Sequence, residues 1–293
     1  MSLGRTDSLP VSMKFEKWQA LGNDYIILEA ENLPWTLSPE RIVRICDPHF
    51  GIGSDGILLI SKSDDERYVA ELRIFNPDGS EAELSGNGAR EAILYLRRHG
   101  WTAEGTFSIL TASGPVTPEI TSERTCRVAM GRASTTSDDF PSGGPDGLGT
   151  VTSVGRDWNF RHVSIGNPQC AIESNSETED LDLGKIGPEI EHSGLFPNRT
   201  NVSFYRVSGS RVRARIFERG VGETLSSGTG ASGAAVAAYL AGAPSPITVE
   251  LDGGELLVEI TPDLDVTLTG WAEAICCGEI SAELMSNLSE LAD

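Results

Sequence analysis

The sequence predicts a strand-rich fold of two related halves, and three observations carry that expectation. Apolar, β-branched or alternating runs greatly outnumber helical ones. A short motif recurs about half a chain apart. A stretch of turn formers, STTSDDFPSGGPDGLG at 134 to 149, marks a loop or domain junction, and the first boundary is placed just before it.

In chain order, Tyr25 to Leu28, Gly56 to Ile60 and Tyr68 to Phe75 read as strands. Ser38-Pro39 predicts a helix start, because serine can cap free amides and proline suits the first helical position; ERIVRIC then forms an amphipathic turn or two. Further strands are expected around 107 to 111, 125 to 130, 159 to 165, 201 to 207, 211 to 217, 247 to 251, 255 to 260 and 264 to 269. Positions 224 to 249 carry no charge. They are rich in Gly, Ser and Pro and short of large aliphatics, which predicts a buried helix rather than a membrane span.

The recurring motif is Leu84-Ser85-Gly86-Asn87-Gly88-Ala89 and Ser226-Ser227-Gly228-Thr229-Gly230-Ala231. The two serines lie 142 residues apart (227 minus 85), and each copy leads from an extended segment into an Ala-rich helical run. An acidic residue, Glu83 or Glu223, lies shortly upstream of each. A helix start presents unpaired amides and partial positive charge, so it can hold a carboxylate or phosphate, and glycines let the ligand approach the backbone. Each loop also offers one small hydroxyl, Ser85 or Ser227, where an acid or base could reach a substrate carbon.

Composition narrows the function classes. The 293 residues, 39% hydrophobic and 23% charged, are ordinary globular composition. Net charge is −20, with 43 acidic and 23 basic side chains and no basic run longer than Arg97-Arg98, so nucleic acid is not an expected partner. Five cysteines (Cys46, Cys126, Cys170, Cys276, Cys277) show neither disulfide nor zinc spacing, consistent with a reducing cytoplasm, and the Cys276-Cys277 pair is expected to pack in a strand. The four histidines, His49, His99, His162 and His192, lack metal-ligand spacing. Gly51-x-Gly53 and Gly86-x-Gly88 lack the full dinucleotide fingerprint, so nicotinamide binding is not expected. Residues before Met13 read as a loose leader without the apolar stretch of a signal peptide.

Six ordered blocks resemble the diaminopimelate epimerase family. They are Gln19 to Tyr25, Gly51 to Gly56, Arg73 to Ser80 with Gly86 to Arg90, Gly166-Asn167-Pro168, Arg199-Thr200-Asn201, and Glu218 to Thr224 with Gly228-Thr229-Gly230. The resemblance spans about residues 13 to 280. It implies an α+β fold of two pseudo-symmetric domains, each a sheet wrapped around a central helix, with the site in the cleft between them. The implied domains are 13–131, completed by 270–293, and 132–269. A homodimer is a family expectation.

The implied reaction is cofactor-independent inversion at the α-carbon of LL- or meso-diaminopimelate, with one cysteine thiolate removing a proton and a second thiol returning one. The family's cysteines immediately precede the two Gly-x-Gly blocks, where this chain has Ser85 and Ser227. A histidine usually follows Gly-Asn-Pro; here it is Gln169. By resemblance Asn23, Asn76, Asn167, Asn201, Glu218 and Arg219 bind the amino acid, and the amides of Gly86, Asn87, Gly228 and Thr229 receive its α-carboxylate. Amides, arginine and glutamate suit carboxylate and ammonium groups.

The serines change the chemistry. A thiol titrates near 8.5 and can fall to about 3.5 to 7.5 at a helix start. Deprotonating a water-like alcohol near 15 costs about 6 units, or about 8 kcal/mol, more than deprotonating a thiol, so its conjugate base is far less available. Three readings follow: a Cys→Ser form of an epimerase, a relative using serine for slow or altered chemistry including dehydration, or an amino-acid-binding protein without turnover. An adjacent base can activate a hydroxyl, but the family's histidine is absent.

Overall fold

The computed structural model of the chain describes residues 13–82, 85–174 and 178–291. The leader before Met13 and Glu83 and Leu84 lie outside the described residues. The first part of the chain forms β1 (Lys14–Ala20), β2 (Asn23–Glu29), α1 (Pro39–Cys46), β3 (Ile57–Ser61), β4 (Ala70–Phe75), β5 (Glu81–Ala82), α2 (Gly86–Arg98), β6 (Ile109–Thr111) and β7 (Gly114–Val116). Next come β8 (Pro118–Ser122), β9 (Thr125–Arg132), β10 (Leu148–Ser153), β11 (Arg156–Ser164), β12 (Pro168–Glu173), α3 (Leu183–Glu191), β13 (Asn201–Ser208) and β14 (Arg211–Glu218). The chain ends with β15 (Gly222–Thr224), α4 (Gly228–Leu240), β16 (Ile247–Leu251), β17 (Gly254–Ile260), β18 (Asp265–Trp271), β19 (Glu273–Glu279) and α5 (Ala282–Ser289).

Two compact units result. The first comprises 13–20, 24–116 and the segment from Ala272 onward. Its eight-stranded sheet runs β19-β1-β2-β3-β4-β6-β7, with β5 on β4. Helix α2 packs against β1, β3 and β4 and buries every residue from Asn87 to Leu96, which makes it the central helix of this unit. On α1 the buried face is Arg41, Ile42, Ile45 and Cys46. Ile26, Leu28, Ile42, Ile45, Ile57 and Phe75 share one apolar cluster with Ile280, Met285 and Leu288 of the C-terminal segment. Arg41 binds that segment too, donating to the carbonyls of Leu288 and Leu291. The expected serine cap on α1 does not form: Ser38 is extended and its side chain makes no capping bond, while its carbonyl accepts the Ile42 amide. Proline at the first helical position, whose missing N–H leaves fewer amides to satisfy, starts this helix.

The second unit comprises 21–23 and 117–271. Its eleven-stranded sheet runs β10-β11-β12-β13-β14-β16-β17-β18-β9-β8, with β15 on β14. Helix α4 packs against β11 to β14 and β16 to β18 and is buried nearly throughout. This is the charge-free segment, and a helix enclosed by strands on several sides has no solvent face for charge to occupy.

The boundaries differ from the expected 131/132 and 269/270. The chain crosses between units after Val116 and after Trp271. Strand β9 pairs antiparallel with β18 from Thr125 opposite Trp271 to Arg132 opposite Asp265, and β8 pairs with β9. Ladder pairing, a non-local property, therefore assigns 118–132 to the second sheet. The turn-rich segment 134 to 149 lies inside the second unit, where Phe140 joins Trp158, Phe160 and Phe196 in its core.

Candidate active site: two serine-capped helix starts

In the first unit Ser85 is extended (φ −125°, ψ 121°) and caps α2, its Oγ accepting the Gly88 amide at 3.1 Å. An α-helix leaves its first amides without intrahelical acceptors, and the serine satisfies the third. Gly88 must be small: a Cβ there would meet Leu58 Cδ2 at 2.9 Å. The Tyr25 hydroxyl also donates to Ser85 Oγ, at 3.2 Å. Gly86 opens the helix, and its carbonyl accepts from Arg90 Nη1. Asn87 is buried, with its Oδ1 accepting from Arg90 Nη2, so its side chain braces the helix start.

The second unit repeats this construction. Ser227 (φ −146°, ψ 123°) caps α4, and its Oγ accepts the Gly230 amide at 3.2 Å. A Cβ on Gly230 would meet Ile216 Cδ1 at 2.7 Å, the counterpart of Gly88 against Leu58. Gly228 opens the helix, and its carbonyl accepts from Ser232. What lies behind the serine differs: Ser227 Oγ donates to Glu218 Oε2 at 2.9 Å, and Thr224 Oγ1 donates to Glu218 Oε1 at 2.9 Å. Burial pushes the Glu218 carboxyl above its ordinary range, against the lowering effect of those two hydroxyls.

Several residues inherited from the resemblance sit around α4. Asn167 Nδ2 donates to Thr229 Oγ1 at 3.2 Å, and Asn167 Oδ1 accepts from Gln169 Nε2 at 2.6 Å. Gln169 is fully buried on β12 against Gly233, where a Cβ would meet Gln169 Cγ at 2.7 Å. It braces Asn167, and through Asn167 the helix start. Asn201, also buried, accepts the Arg219 amide on its Oδ1 at 2.7 Å. Arg219 is exposed, and its guanidinium donates to the Asn198 carbonyl.

Asn23 is half-buried at the start of β2, after a turn in which Leu21 (φ 54°) and Gly22 (φ 83°) are both left-handed. Asn76 donates to Ser80 Oγ at 3.0 Å inside its own turn. That is an ordinary turn-forming use of asparagine.

Of the upstream acids singled out by the echo, Glu223 is taken by an ion pair with Arg215, which leaves Glu218 as the acid at the helix start. Sequence reasoning missed three other groups. Tyr25 stands behind Ser85 although it lies 60 positions away. Thr224 is the second donor to Glu218. Glu191, buried at the end of α3, accepts from the Gly220 amide at 2.9 Å and from Arg199 at 3.2 Å, anchoring the loop that follows Glu218. Cys276 and Cys277 do lie on a strand, β19, but both are exposed rather than packed. Among the described residues no group of three or more His, Cys, Asp or Glu is placed to hold a metal ion.

This two-unit, helix-centred α+β architecture is that of known epimerases and isomerases. A hydroxyproline epimerase from Agrobacterium vitis superposes with a TM-score of 0.66 at 14% identity, covering 94% of each chain. A phenazine biosynthesis protein of the PhzF family from Bacillus anthracis gives 0.63 at 17% identity over 92% of this chain and 99% of its own. At these identities the likeness establishes the fold. The sequence profile of the family described as Diaminopimelate epimerase matches residues 15–136 and 161–275. "Diaminopimelate epimerase 2" of Nostoc sp. is 42% identical, over 94% of this chain and 98% of its own length. A diaminopimelate epimerase of Desulforudis audaxviator is 38% identical over 91% and 99%. The chain belongs to the diaminopimelate epimerase family.

Proposed function

We propose that this chain binds diaminopimelate and inverts its α-carbon without a cofactor, with Ser85 and Ser227 in the two base positions and turnover slower than a thiol pair would give. The observation that carries the reading is the repeated helix start: the same serine cap, the same close-packed glycine at the third helical residue, and first-turn amides suited to a carboxylate. The amides of Gly86 and Asn87, and of Gly228 and Thr229, are the donors proposed for the α-carboxylate. Glu218 and Arg219 are proposed for the charged ends of the amino acid, with Asn23, Asn76, Asn167 and Asn201 around them.

A cytoplasmic location fits this role. It is supported by five cysteines that are all free. No helix among the described residues is long and apolar enough to cross a membrane.

The test is α-proton exchange of diaminopimelate in D2O, followed by NMR for this chain beside the double variant Ser85→Cys, Ser227→Cys. Slow exchange by the parent and exchange faster by at least on the order of 100-fold in the variant is expected, since each matched acid–base group contributes about 10²–10⁴. Elimination product would indicate a lyase. Binding with no exchange by either form would indicate a binding protein, and absence of binding would remove the substrate assignment.

A further inference from the structure

Apart from the two helix starts, the second unit carries a cavity of about 250 Å³ that the proposed reaction does not use. Its walls are the turn between β10 and β11 on one side and the first turn of α3, with the residues just before it, on the other. Two bonds tie these walls together. The Val154 amide donates to Glu189 Oε2 at 2.6 Å, and Ser153 Oγ donates to the Ile186 carbonyl at 3.0 Å. Hairpin and helix therefore hold the cavity in shape before any ligand arrives, which lowers the cost of binding.

Donors around the cavity are short of acceptors. Trp158 is 5% exposed, and its indole Nε1 is buried without a hydrogen-bond partner, an unmet demand that native interiors rarely leave. The Arg156 guanidinium lies 4.0 Å from the centre of the Trp158 ring and forms no ion pair with any described residue. At the start of α3 the Asp182 side chain makes no capping bond and pairs instead with Lys185 at 2.6 Å, so the first helical amides are uncapped. These groups suit an anion.

The surrounding charges set its kind. Asp182 neutralises Lys185, and the exposed Asp180, also without an ion pair among the described residues, balances Arg156. A polyanion would meet two carboxylates here on a chain of net charge −20. A molecule with one carboxylate and one ammonium group finds a partner for each: Arg156 and the indole N–H for the first, Asp180 for the second. The rest of the wall, Val154, Leu181 and Ile186, is apolar and suits an aliphatic side chain. We propose that this cavity binds a free aliphatic α-amino acid, as a site separate from the one proposed for diaminopimelate. The inference goes beyond the epimerase reading and does not depend on it, because Ser85, Ser227 and Glu218 take no part.

The experiment is a titration of the ¹⁵N-labelled chain with L-leucine, read on the indole N–H signals of its five tryptophans. Trp158→Phe, which keeps an aromatic ring against Phe204, assigns the Trp158 signal. A saturable shift of that signal is expected. Binding should weaken on the order of tenfold or more in Arg156→Gln and in Asp180→Asn, since each loses a charge-assisted hydrogen bond. Both residues are exposed, and circular dichroism verifies that the variants are folded. Isocaproate, which is leucine without its ammonium group, and inorganic phosphate should bind more weakly than leucine. Equal binding of either would make the cavity a general anion site and overturn the assignment. So would a Trp158 signal that does not move with leucine, or leucine binding that neither substitution weakens.

Discussion

Glu91 carries a fully buried carboxyl, a costly group to ionise. It lies on α2 with no exposed surface, and burial holds its carboxyl well above the ordinary carboxylate range, with neighbouring Arg90 pulling weakly the other way. A carboxyl whose folded affinity for protons exceeds its unfolded one adds stability that is complete below the unfolded value, near 4.3. That contribution is lost as pH climbs through the folded value, and Glu218 adds to the loss with the same sign. Glu91→Gln, which cannot ionise, should therefore lose less stability than the parent between mildly acid and neutral pH. Urea midpoints measured across that window test this, and parallel curves for the two proteins would show that Glu91 does not carry the cost.

The two central helices, α2 and α4, share one construction at their starts. Their caps were readable because a serine before Gly-x-Gly-Ala is a local signal, and both serines do cap. Ser85→Ala and Ser227→Ala should each cost about 1 kcal/mol in urea unfolding. Gly230→Ala sets two effects against each other. Alanine is the better helix former by up to about 1 kcal/mol, but its Cβ would sit 2.7 to 2.8 Å from the branched Ile216. Overpacking of about 1–3 kcal/mol should win, giving a net loss; a more stable variant would mean that Ile216 yields easily. Other elements were silent in the sequence for equally physical reasons. Strand β1 reads KFEKWQA, too charged to stand out, and exists through its pairing with β19. Helix α3 contains Gly184, Gly187 and Pro188, all poor helix formers, and is held by burying Leu183, Ile186 and Ile190.

For the whole molecule, the order of the chain and the order of the sheets disagree at the C-terminus. Strand β19 and helix α5 return to the unit that the N-terminus began, where Ile280, Met285 and Leu288 complete its core. Burying such side chains is worth roughly 1.5–3 kcal/mol each, against a domain stability of about 5–15 kcal/mol. A chain ending at Trp271 should therefore leave β2 to β4 unprotected in hydrogen exchange while β11 to β14 keep their protection. Equal protection in both units would refute the dependence.

What the sequence determined alone was local: strand-rich patterning, a buried charge-free helix, two matching helix starts and the family motifs. Each is set by residues within a few positions of one another. Tertiary structure alone decided where one unit ends, because that depends on which distant strands pair, and which group stands behind each serine. Tyr25 meets Ser85 across 60 positions and Glu218 meets Ser227 across nine. Hydrogen bonds of that kind depend on how the backbone folds back on itself, so two serines with the same local spelling acquire different hydrogen-bond partners.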